Sequence, residues 1–119
     1  MNRSEILKQA DGIVNGERQN QYGSPERSFT FIAELWSDYL HMMISDKDVA
    51  LMMILMKVAR EAGGDGKMDN WVDIAGYAAC GGEIASKQYE SGSYTHKLSK
   101  AMNAFIDHEE DEDDDADNA

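Results

Sequence analysis

Apolar residues recur every three or four positions in five stretches of this chain, parted by polar or glycine-rich breaks. That period belongs to a helix rather than a strand. In the first stretch Ser4 is placed to cap a helix with Ile6, Leu7, Ala10, Ile13 and Val14 on one face, ending at Asn15-Gly16. A polar loop, Glu17 to Ser24, follows. Ser24-Pro25-Glu26 then supplies a cap, a proline at the first helical position and an acid in the first turn. The second helix carries Phe29, Ile32, Ala33, Trp36, Tyr39, Leu40 and Met43 and is expected to stop near Ile44. Ser45 restarts the chain into a third helix, Asp46 to Ala62, whose VALMMILM run is apolar on every side and predicts the central buried helix. Gly63-Gly64-Asp65-Gly66 ends it. Asp69 caps a fourth helix running to about Lys87, with Trp71, Val72, Ile74, Ala75, Ala78 and Ala79 turned inward. Gly76, Gly81 and Gly82 weaken that helix but permit close approach of a neighbour. Thr95 is placed to cap a fifth, separate helix with Leu98, Met102, Phe105 and Ile106 on one side.

The pattern predicts an all-α fold: a compact antiparallel bundle of four core helices, a C-terminal helix and an acidic disordered tail. Residues 1–106 read as one helical domain and residues 107–119 as the tail. The net charge of −12 is concentrated in that tail, which holds nine acids and no base, while the body carries 14 acids against 11 bases. No basic patch with interleaved aromatics is present, which argues against direct nucleic-acid binding. The single cysteine, Cys80, allows no internal disulfide, and no run is apolar enough to span a bilayer. A cytoplasmic protein is the expectation. The methionine-rich third helix gives this short chain more apolar surface than a small bundle covers, so a homo-oligomer, a dimer above all, is expected.

Chemistry concentrates on Asp69, Asp73 and Tyr77, which stand four apart and form one stripe on the fourth helix. Asp73 lies mid-helix between core positions, where a carboxylate needs a partner. Lys57 and Arg60, one turn apart, are the candidates. They either neutralise the acids or hold phosphate oxygens, Arg60 as a bidentate donor. Glu34 and Asp38 repeat the four-residue spacing on the second helix. If the pairs face each other across the bundle, the four carboxylates offer oxygen ligands for Mg²⁺. If not, Glu34 and Asp38 are a solvated face and Asp69 a cap. The loop holding Arg18 and Tyr22 precedes a helix N-terminus, a natural anion site.

Taken together, Arg18-x-x-x-Tyr22-Gly23, Ser28-Phe29, Ile32-Ala33-x-Leu35-Trp36, Lys57-x-Ala59-Arg60 and Asp69-x-x-x-Asp73-x-x-Gly76-Tyr77 resemble a small helical family of phages and prophages that has no assigned activity. The match runs from about Ile6 to Glu83. At longer range the arrangement is similar to the all-α nucleoside triphosphate pyrophosphohydrolases, the MazG-type enzymes and dimeric dUTPases. Those split a nucleotide between its α- and β-phosphates with Mg²⁺ held by acidic pairs, although their pairs are glutamate-rich and spaced three apart. The resemblance implies a nucleotide substrate, with Asp69 and Asp73 as catalytic metal ligands, Glu34 and Asp38 as the second pair, Lys57 and Arg60 on the phosphates, and Tyr22 and Tyr77 on base or sugar. A rival reading comes from the tail. Nine acids in residues 107–119 suit a non-catalytic phage protein that binds a host protein, a defence nuclease or DNA-binding enzyme, by imitating nucleic acid.

Overall fold

The computed structural model describes residues 1–16, 23–64 and 66–91. The expected fifth helix, the acidic tail, Arg18 and Tyr22 lie outside the described residues. Four helices make up the described chain, with no strand among them: α1 (Arg3–Asn15), α2 (Pro25–Leu40), α3 (Asp46–Gly63) and α4 (Met68–Ser91). The all-α four-helix expectation holds.

Local signals account for most boundaries. The caps of α2 and α3 are the ones the sequence names. Ser24 accepts from the Arg27 amide, and Ser45 and Asp48 form a reciprocal capping box. The cap of α1 is Asn2 rather than Ser4, its carboxamide oxygen accepting from the Glu5 amide at 2.9 Å. The second helix stops at Leu40, short of the expected Ile44, because His41 turns into the left-handed region at φ 55. The Ser37 hydroxyl then clasps the turn, accepting from the Ile44 amide at 2.9 Å and donating to the Ile44 carbonyl at 3.2 Å. Asp69 is not the cap of α4. That helix begins at Met68, so the carboxylate sits within the first turn, where it still meets the positive end of the helix dipole.

The core is built from Phe29 and Ala33 of α2, Val49 and Ala50 of α3, and Cys80 and Ile84 of α4. α3 and α4 run antiparallel, since Asp46 meets Gln88, Ala50 meets Gly81, Lys57 meets Asp73 and Glu61 meets Trp71. Their contact is close enough that a Cβ on Gly81 would lie 2.7 Å from that of Ala50, so only glycine fits there. Gly76 plays the same part towards α1, a Cβ there coming within 3.3 Å of Val14. α4 is therefore the hub, touching each of the other three helices.

This corrects the expectation that α3 is central. Only Val49 and Ala50 of α3 are buried, while Leu51, Met52, Leu55 and Val58 are exposed. Trp71, Ala78 and Ala79, expected inward on α4, are exposed as well. The reason is layering: α1 and α2 both pack on one side of the α3–α4 pair, so each of these two helices buries one stripe and leaves another bare.

Candidate functional site

Between α1, the start of α2 and α4 lies a cavity of about 290 Å³. Ile13 and Val14 come from α1, Ser28, Phe29 and Ile32 from α2, and Val72, Asp73, Gly76, Tyr77 and Cys80 from α4, with Met53 of α3 beneath. The helix period explains this grouping. Ser28 and Ile32 are four apart on α2, and Val72, Gly76 and Cys80 repeat every four on α4, so each helix presents one stripe to the same space. Gly76 makes the room by letting α1 approach without a side chain between. Gly23, at φ 81, and Pro25 bring the N-terminus of α2 to the cavity wall.

The polar groups on this apolar wall are few. Asp73 Oδ2 is 2.7 Å from Lys57 Nζ, and the two side chains are 26% and 13% exposed. At that depth a single carboxylate or ammonium would lose hydration without compensation, so each charge is held by the other. Tyr77 tilts against Phe29, their ring centroids 6.3 Å apart. The Cys80 thiol is pushed above its ordinary value, first by burial and then by the charge of Glu83, so it stays protonated and is a poor nucleophile at neutral pH.

The structure brings Asp73, Tyr77 and Lys57 together and separates the rest. Asp69 is exposed, one turn before Asp73. Arg60 is exposed and makes no ion pair among the described residues. Glu34 and Asp38 are exposed and line a different, shallow groove with Thr30, Ser37 and Asp46. On α2 they lie on the side away from Ser28 and Ile32, so the two acidic pairs do not face each other within one chain. Among the described residues no group of three or more histidine, cysteine, aspartate or glutamate side chains is placed to hold a metal ion. Among the described residues, Asp69 and Asp73 are thus not gathered with Glu34 and Asp38 into one Mg²⁺ site within a single chain. Ile13 and Val14, which the helix period places only on an apolar face, and Ser28, which enters only through the family resemblance, are cavity residues the sequence does not single out. The signal that could have found them is Gly76, whose small size on a core stripe marks a place where something approaches closely.

Among the described residues no helix is long and apolar enough to cross a membrane. No solved structure matches the chain. Residues 5–85 match the family model of a domain of unknown function, DUF6378. The chain is 49% identical over 75 residues to the Gene 55 protein of Mycobacterium phage D29, covering 63% of this chain and 50% of that one. It is 43% identical over 74 residues to the Gene 55 protein of Mycobacterium phage L5, covering 61% and 47%. It thus spans about half the length of these curated relatives. The matched region holds all four helices nearly entire, the cavity and the Lys57–Asp73 pair, and the chain is accordingly a small helical phage protein belonging to the DUF6378 family.

Proposed function

We propose that this protein binds a nucleoside or nucleotide, with the base in the cavity between α1, α2 and α4. The observation that carries the reading is the Lys57–Asp73 pair, whose carboxylate side chain lines a mainly apolar cavity of about 290 Å³. Ligand sites are typically apolar hollows with a few fixed polar groups, and this volume is at the small end of their range. It accommodates a base and part of a sugar rather than a whole triphosphate. The phosphates of a nucleotide then lie outside, towards the N-terminus of α2, where the positive end of the helix dipole favours anions. Asp73 suits the amino and ring N–H donors of a base, and the Tyr77 and Phe29 rings offer flat apolar contact. Lys57 is held by Asp73, which leaves Arg60, exposed one turn on, as the cation for phosphate, as the resemblance to pyrophosphohydrolases implies.

Titration calorimetry with nucleosides and their mono-, di- and triphosphates tests this, run with and without Mg²⁺ and followed by an assay for pyrophosphate. Binding is expected, and Ile13→Trp, which fills the cavity, is expected to abolish it while the helical circular dichroism is kept. If no member of the panel binds, or if Ile13→Trp binds as the parent does, the reading is wrong. Pyrophosphate release that requires Mg²⁺ extends the proposal to hydrolysis. The host-protein reading is supported by the nine acids of residues 107–119 and predicts binding that depends on this tail and weakens with salt.

A further inference from the structure

α3 and α4 form a layer with two sides. α1 and α2 cover one of them. On the other, Leu51, Leu55 and Val58 of α3 follow each other at spacings of four and three. Trp71, Ala78 and Gly82 of α4 follow at seven and four. Both spacings keep a row on one face of its helix. Because the helices are antiparallel, and each row lies about a quarter-turn beyond the α3–α4 contact, the two rows emerge side by side on the uncovered side. Exposure agrees: Leu55 is 65% exposed, Trp71 53%, and Leu51 and Val58 45% each, with Ala78 and Gly82 also exposed. No charged residue stands in either row.

We propose that this face is where a second copy of the chain packs, in a two-fold dimer that sets α3 of each copy against α4 of the other. The face is self-complementary. Large aliphatic side chains form the α3 row, while Ala78 and Gly82 leave a shallow channel in the α4 row. A two-fold rotation lays the ridge of one copy into the channel of the other, and an isologous interface demands this kind of match. Its extent fits a small interface. The six residues of the two rows, about half exposed, present roughly 400 Å² of apolar surface. This is within the range of the largest apolar patch on a typical monomer. It is about half of the roughly 800 Å² that one partner contributes to a standard interface. The uncharged rows also matter for a chain of net charge −12, since two copies meet only where like charges are kept apart.

Light scattering on the full chain across a concentration series, at low and high salt, is the test. The expected mass is about twice 13.3 kDa, with tighter association as salt screens the net charge. Leu55→Glu and Ala78→Glu lie on opposite rows of an exposed surface, so the helical fold should survive each. Both are expected to return the mass to 13.3 kDa. Leu35→Glu, an exposed apolar position on α2, serves as the control and should leave the dimer intact. A parent chain of 13.3 kDa at all concentrations overturns the proposal and points to coverage by residues 92–119 of the same chain. So does a dimer broken by Leu35→Glu and untouched by Leu55→Glu and Ala78→Glu.

Discussion

The covered and bare sides of the α3–α4 layer are both apolar, yet they differ in where charge is allowed. The covered side holds an ion pair, Lys57–Asp73, whose carboxylate side chain lines a cavity. The bare side has two rows with no charge in either. Apolar residues of the same volume often stabilise as well as such a pair does, so folding stability alone does not account for it. An uncharged surface, by contrast, suits a partner that brings nothing polar. In the readings proposed above, the side with charges orients a ligand and the side without them is covered by a second copy.

The sharpest way to break both sides at once is at the seam they share. Gly81→Val puts branched carbon where even one Cβ would lie 2.7 Å from Ala50, and is expected to destabilise by about 2–3 kcal/mol. Thermal unfolding should fall by roughly 10 °C. Gly82→Ala is the contrast, for nothing lies within 4 Å of its added carbon. Helix propensity alone should then stabilise the folded chain by up to about 1 kcal/mol.

Next in size is the ion pair. Asp73→Ala leaves the Lys57 ammonium largely buried without its partner and is expected to lower stability by about 1–3 kcal/mol in urea unfolding. The double variant Lys57→Met with Asp73→Leu should recover most of that loss while leaving nucleotide affinity abolished. If the double variant is as unstable as Asp73→Ala, the pair is not a self-contained unit.

Much of this contrast is legible in the sequence, and the missing part has physical causes. Ser24-Pro25 and Ser45 mark two helix starts correctly, since capping is local chemistry. That Asp73 needs a cation is equally plain, because a mid-helix carboxylate among core residues has no other recourse. Which cation it meets is not, for Lys57 and Arg60 stand one turn apart and only the register between α3 and α4 decides. The Ala50–Gly81 contact sets that register and brings Lys57 to the acid. The VALMMILM run predicts a buried helix because period alone records apolar character and not what lies alongside it. Trp71 is expected inward for a similar reason. It neighbours Val72, but one residue is a rotation of about 100° on a helix. Its indole instead donates to Glu61 at 3.0 Å, across the end of α3. Glu34 and Asp38 share the spacing of Asp69 and Asp73, yet spacing places residues on a face of their own helix and says nothing of which way that face looks.

The smallest expected effects are alkaline. Burial holds the proton on Cys80 above its ordinary pKa, so the unfolded thiol ionises first and stability declines as pH rises from 9.0 through the folded value. Lys87, hydrogen-bonded to Glu26, is also raised. Its contribution is complete below the ordinary lysine value and fades as pH climbs past the folded one. Both shifts have the same sign, so a shallow loss of melting temperature above pH 9 is expected, with none between pH 6 and 8 from these groups. Cys80→Ala should remove the thiol's share, and Glu26→Gln the lysine's.

The Ala50–Gly81 contact has one more consequence. Packing this tight has no slack, so a small change in how α3 lies on α4 cannot be absorbed between them and is passed through to the far side. If a ligand entering the cavity alters that spacing, it alters the surface offered to the second copy, and the free energy of coupling is the same in both directions. Cavity occupancy would then read the concentration of the protein itself, with the layer of two helices serving as the lever between them.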